Sequence, residues 1–190
     1  MAPTSNPPTE ASAPPLGVVR IGVSRCLLGD EVRYDGQHKR SQMVVDELAQ
    51  RFELIGICPE LEIGMSIPRE PIQLVATNAD GLRSPLLQAP GSGRDWTDAM
   101  RAFSRERIEL MKHQRLCGIV LQQKSPSCGL GSTKVHDGHG KWQRVGTGIF
   151  AAELAKWIPQ FPMMEEADLW NAAKYERFIE RVLTYSRTAD

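Results

Sequence analysis

Hydrophobic positions along the chain fall into short runs that alternate with longer amphipathic stretches. Val18, Val19, Ile21 and Val23 form a β-branched run ending in Ser24, Arg25, Cys26 and Gly29, the pattern of a buried strand that leaves into a loop. Arg33, Tyr34, Asp35 and Gly36 make a turn-like quartet. From Ser41, Met43, Val44, Leu48 and Phe52 recur at helical spacing among Asp46, Glu47 and Gln50, which predicts a helix. Residues 52–57 predict a second strand, stopped by Pro59, which has no N–H to give a ladder. Gly64, Pro68 and Pro71 break residues 60–71 into turns. Residues 72–77 predict a third strand, residues 78–81 a turn, and residues 86–88 the returning arm of a hairpin. Residues 97–114 predict a long helix with Met100, Phe103, Ile108 and Met111 on or near one face. Residues 116–122 (LCGIVLQ) predict a buried strand that runs into Lys124-Ser125-Pro126-Ser127-Cys128-Gly129. A Gly-rich polar stretch follows to Arg144, and Gly146-Thr147-Gly148 opens a helix reaching about Trp157. Residues 161–164 predict a last strand and residues 171–187 an amphipathic terminal helix.

Strands alternating with helices predict an α/β, Rossmann-like fold: a mainly parallel sheet with helices on both faces. Such sheets gather ligands at the carboxyl ends of their strands. Cys26, Cys58 and Cys128 each follow a strand, beside Gly29, Pro59, and Pro126 with Gly129. Cys117 instead begins its strand, which places it roughly 20 Å from that rim at about 3.3 Å per residue. Cys117 therefore reads as core packing. Three converging thiolates suit a soft metal, and zinc and iron–sulfur both fit. Three ligands on an iron–sulfur cluster leave one iron open, comparable to the open position of catalytic zinc. Buried packing is the alternative reading of each thiol.

Composition narrows the class. The chain has 190 residues, 41% hydrophobic and 24% charged, which describes a globular domain with a core of its own. Lys+Arg and Asp+Glu are both 23, so no global charge excess draws nucleic acid or an anionic membrane, although a local basic patch remains open. No apolar run approaches the roughly 20 residues of a membrane span. No C-x-x-C pair exists, which excludes zinc-finger and thioredoxin-type motifs. Residues 1–16, rich in Pro, Ser, Ala and Thr, are expected to be a flexible tail. This tail lacks the basic and apolar regions of a secretory signal, so the expected compartment is the reducing cytoplasm.

The words SRCLLG, RYDG, ICPE, IPREP, GRDWT, KSPSCG and GTGIFAAEL, in this order across residues 18–157, resemble the DUF523, or thiouracil desulfidase, family. The resemblance implies a desulfidase domain over residues 17–160. It also implies that residues 161–190 are an extension like the connector of two-domain members, with the second, RNA-associated domain absent from this chain. It implies a [4Fe-4S] cluster held by Cys26, Cys58 and Cys128, with Glu60 and Ser125 as the catalytic side chains. The implied partner is a thiolated pyrimidine: thiouracil, a 4-thiouridine nucleotide, or 4-thiouridine in tRNA. The chemistry is physically coherent. Soft iron suits a soft thiocarbonyl sulfur, and drawing electron density from its carbon opens that carbon to water. Glu60 is then placed to take a proton from water and Ser125 to hydrogen-bond the substrate or relay the proton. The rivals are an accessory or RNA-binding domain with a purely structural cluster, and a zinc-thiolate protein.

Several residues keep two readings. Arg69 binds a phosphate or pairs with an acid such as Glu70. Arg33, Tyr34 and Asp35 form a structural turn or contact a base. Gly146 and Gly148 cradle an anion or allow close packing. His38, His113, His136 and His139 are expected at the surface. Trp170, Tyr175, Phe178 and Val182 are expected to form a docking face of the terminal helix.

Overall fold

The computed structural model describes residues 18–76, 85–137 and 141–188. The expected tail at 1–16, the turn at 78–81 and His139 lie outside the described residues. The main sheet contains β1 (Arg20–Ser24), β2 (Glu53–Ile57), β5 (Leu116–Leu121) and β8 (Met163–Glu165), in the order β2-β1-β5-β8. All three pairings are parallel, so four strand ends share one rim. The chain steps from β1 to β2 on one side, and β5 takes the other, which makes the β1/β5 crevice the switch point where a ligand is expected.

Both faces of this sheet are covered. One packs Ile21, Val23 and Val120 against Val44, Leu48, Phe178, Ile179 and Val182. These come from a π-helical segment, Met43–Leu48, which continues into α2 (Ala49–Arg51), and from α6 (Ala172–Thr188). The predicted helix after Ser41 thus exists, but it is wound mostly as π-helix. The other face packs Ile57, Ile119 and Leu121 against Met100, Ile108, Met111, Phe150 and Leu154 of α4 (Thr97–His113) and α5 (Ile149–Trp157). Tyr175, Phe178 and Val182 are therefore core residues, whereas Trp170 is 69% exposed.

A second, mixed sheet adds β3 (Gln73–Val75), β4 (Leu86–Gln88), β6 (Thr133–His136) and β7 (Trp142–Gly146), in the order β4-β3-β6-β7. The β3/β4 hairpin is as the sequence predicts. The β6/β7 hairpin occupies the stretch expected to be irregular. Leu74, Leu87 and Val135 pack this sheet onto the α4/α5 layer. Residues 161–188, expected as an extension, supply the fourth strand of the main sheet and a covering helix. Among the described residues no helix is long and apolar enough to cross a membrane.

One irregularity decides where Cys117 points. Arg20 pairs with Leu116, but Gly22 pairs with Ile119, so β5 carries one extra residue there, a β-bulge. Cys117 joins the α6-side core, and a Cβ on Gly118 would meet Val182 Cγ2 at 2.7 Å on that same side. Leu116 and Ile119 face the α4/α5 side.

Candidate active site

Above the β1/β5 crevice lies a cavity of about 350 Å³, within the range of small-ligand sites. Its wall includes Ser24, Cys26, Cys58, Glu60, Arg69 and Ser125, with Cys128 alongside. Cys26 is carried by the short α1 (Arg25–Leu28) and Cys58 directly precedes α3 (Pro59–Glu62). Cys128 sits in the loop after β5. The structure therefore brings Cys26, Cys58, Cys128, Glu60 and Ser125 to one cavity. Cys117 is not in its wall; it is buried, with its thiol directed to the Arg115 carbonyl at 3.4 Å.

All three cavity thiols are buried. Burial pushes Cys26 up to about 12, with the nearby Cys58 adding to the shift. Cys58 is raised by burial, against an opposing hydrogen bond from the Leu61 backbone. Cys128 is raised well above its ordinary value by burial and then by the Glu60 charge, against a hydrogen bond with Ser24. Thiolates here repel one another and lack solvation, so ionising them requires a positive body among them. Among the described residues no three His, Cys, Asp or Glu side chains are drawn together as a metal-holding group. The thiols instead line a space.

The loop carrying Cys128 is held from three directions. Ser125 Oγ accepts the Ser127 and Cys128 amides at 3.2 and 3.1 Å. Two accepted bonds occupy its lone pairs and leave its O–H to donate. The first amides of α5 meet loop carbonyls: Gly148 to Gly129 at 2.8 Å, Ile149 to Pro126 at 3.0 Å and Ala151 to Ser127 at 3.2 Å. Gly148 therefore serves close packing, and the helix start is occupied by the loop. From the third side come Glu165 and Glu166, at the carboxyl end of β8. Glu165 accepts the Leu130 amide at 2.6 Å and the Ser132 hydroxyl. Glu166 accepts the Gln123 amide at 2.6 Å and Gln122 Nε2 at 3.1 Å. Gln122 Oε1 in turn lies 3.8 Å from the Cys26 sulfur. The sequence pattern alone does not single out these two carboxylates, although they follow a predicted strand, as the three cysteines do at a greater or lesser remove.

Glu60 is paired. Arg69 Nε reaches its Oε2 at 3.1 Å, an Arg69 Nη2 bond joins the same oxygen, and Ser127 Oγ donates to Oε1 at 3.0 Å. Arg69 thus pairs with Glu60 and not with Glu70, which instead binds the Ser92 amide at 2.9 Å. At the mouth, the Arg33 turn is closed by Asp35, and Tyr34 is exposed. Arg25 pairs with Asp30 at 2.7 Å. Lys39 and Lys124 also line the cavity, are exposed, and have no ion-pair partner among the described residues. Of the histidines, His38 and His113 are exposed and His136 is half-buried within β6.

Residues 21–166 match the protein family described as 2-thiouracil desulfurase. The chain is 32% identical over 136 residues to an uncharacterised protein of Bacillus subtilis (strain 168), YbbK, covering 70% of this chain and 88% of that one. Its structure is similar to that of TudS, a [4Fe-4S]-dependent thiouracil desulfidase, with a TM-score of 0.65 and 28% identity over 84% of this chain and 98% of that chain.

Proposed function

Since the chain belongs to the 2-thiouracil desulfurase family, we propose that it is a non-redox desulfidase that hydrolyses a thiolated pyrimidine to the oxo base and sulfide, with Cys26, Cys58 and Cys128 holding a [4Fe-4S] cluster. The observation that carries the reading is the meeting of three buried thiols with Glu60 and Ser125 around one cavity. The donor set fits such a cluster. Thiolates are its usual protein ligands, and three buried thiols facing one cavity are the donor set that leaves one iron open. When bound, the cluster supplies a soft, Lewis-acidic iron for the sulfur of the substrate.

The remaining chemistry belongs to the chain. Glu60, fixed beside the cavity, takes a proton from the attacking water and returns it to the ring or the departing sulfide. Ser125 donates its O–H to the substrate. The exposed Lys39 and Lys124 at the mouth favour a substrate that carries phosphate, so 4-thiouridine nucleotides or 4-thiouridine in tRNA rank ahead of free thiouracil. The reaction neither gains nor loses electrons. The chain is proposed to work in the cytoplasm, where thiols stay reduced.

The test is sulfide release by anaerobically reconstituted protein from 4-thiouracil, 4-thiouridine monophosphate and 4-thiouridine-containing tRNA, with iron and acid-labile sulfide measured on the same sample. Release from any of the three, dependent on loaded iron, is the expected result. A fully loaded protein that desulfurises none of them makes the cluster structural and the chain an accessory domain.

A further inference from the structure

We propose that Arg69 and Ser127 are positioning residues that hold the Glu60 carboxylate in one orientation from opposite sides; the proposal rests on the desulfidase reading above. A carboxylate's last torsion is broad and soft in a free side chain. Here both oxygens are engaged. Arg69 places Nε and Nη2 on Oε2, and Ser127 Oγ donates to Oε1 at 3.0 Å. Oε1 therefore accepts one of the two bonds its lone pairs allow, which leaves it a position for a proton from water.

Neither clamp is itself loose. The Arg69 side chain is 6% exposed. Its Nη2 also reaches the Val32 carbonyl at 2.9 Å and its Nη1 the Ser66 carbonyl at 3.1 Å, while its own amide donates to the Tyr34 carbonyl at 2.9 Å. The guanidinium is thus tied to two loops besides α3, and binding a phosphate would cost it these bonds. Ser127 is fully buried. Its amide is spent on Ser125 Oγ at 3.2 Å, and its carbonyl accepts Ala151 N at 3.2 Å. Glu60 consequently joins α3, the mouth loop and the Cys128 loop through two partners that do not move independently of those walls. Displacing a reacting group by about 1 Å can cost about 100-fold in rate, so these clamps act on turnover without touching substrate.

The experiment measures kcat and KM for sulfide release from 4-thiouridine monophosphate by anaerobically loaded wild type, Arg69→Lys, Ser127→Ala, Glu60→Gln and the two double variants, with iron content and melting temperature. Arg69→Lys keeps the charge and loses the fork; Ser127→Ala removes one oxygen, and serves alone if Arg69→Lys does not fold. Each single variant is expected to keep its iron, to lose about 10- to 100-fold in kcat and to leave KM within about twofold. In the Glu60→Gln background neither should subtract more than about twofold further, because sites that act through one another are not additive. Unchanged kcat in the single variants overturns the proposal, as does an equal loss that persists without the Glu60 carboxylate. A loaded wild type that releases no sulfide overturns the desulfidase reading itself, and the positioning role with it; an active wild type confines any failure to the clamps.

Discussion

Gly148 lies so close to Ser127 that a Cβ on it would stand 2.4 Å from the Ser127 carbonyl carbon and 2.6 Å from the Cys128 nitrogen. The helix start of α5 and the loop that carries Cys128 therefore form one packed unit. The space is closed by backbone, which cannot turn away as a flexible side chain can. Three α5 amides complete the joint by binding the carbonyls of Pro126, Ser127 and Gly129.

Gly148→Ala should therefore displace the Cys128 loop. Its φ of −58° suits any residue, so the cost comes from space alone. Overpacking of this kind costs about 1–3 kcal/mol. Thermal unfolding and iron content of anaerobically loaded protein are the measurements. A variant that melts with the wild type and holds the same iron would show that the loop accommodates the methyl group.

The ligand set makes its own prediction. Serine in place of Cys26, Cys58 or Cys128 should abolish most of the visible absorption of the reconstituted protein, because a hard hydroxyl poorly replaces thiolate on iron. Cys117→Ser should retain it, since Cys117 lies in the α6-side core at the other end of β5. Equal absorption from all four variants would sink the assignment.

The shared cavity of Cys26, Cys58 and Cys128 was legible because each follows a strand, and a parallel sheet sends all such ends to one rim. The β-bulge in β5 was not legible, because Cys117 and Gly118 can share a face only once the pairing with β1 is known. Nor was the hairpin of β6 and β7. Its buried positions, Thr133 and Val135, alternate with exposed Lys134 over too few residues to rise above the glycines around them. The Arg69–Glu60 pair spans nine residues, and sequence adjacency pointed to Glu70 instead. Glu165 and Glu166 were readable in principle by the rule that found the cysteines. Surface carboxylates are common, and only the loop placed against β8 supplies the donors that single these two out.

Glu166 carries a pH dependence. Burial raises its pKa above the ordinary carboxylate value of 4.5, with the Glu165 charge adding and the Gln123 amide opposing. A raised pKa in the folded chain means stability that is full below 4.5 and is lost as pH rises through the raised value. The unfolding free energy of wild type relative to Glu166→Gln should therefore fall as pH rises across that window, in urea titrations of cluster-free chain. The cavity thiols titrate above this window and do not contribute. A difference that stays flat or rises with pH would mean that the hydrogen bonds from Gln122 and Gln123 outweigh burial.

Glu60 and Ser125 separate proton transfer from substrate orientation. Neither is needed as a ligand, so either variant should still load with iron when no chelator is present. Glu60→Gln keeps the shape and acceptor oxygen but cannot take the proton from water, and general base help is typically worth about 10²- to 10⁴-fold, or about 3–5 kcal/mol in the barrier. The loss should fall on kcat. Ser125→Ala differs, because Ser125 Oγ also accepts the Ser127 and Cys128 amides. Its removal loosens the ligand loop as well as deleting a donor to the substrate, so KM should rise and iron should leave faster to a chelator. If Ser125 relayed the proton, its kcat loss would match that of Glu60→Gln. Steady-state sulfide release, with chelator-driven iron loss followed in the same preparations, distinguishes these outcomes. Glu60→Gln turning over at the wild-type rate with a full cluster would remove Glu60 from the chemistry and return the proton to another group.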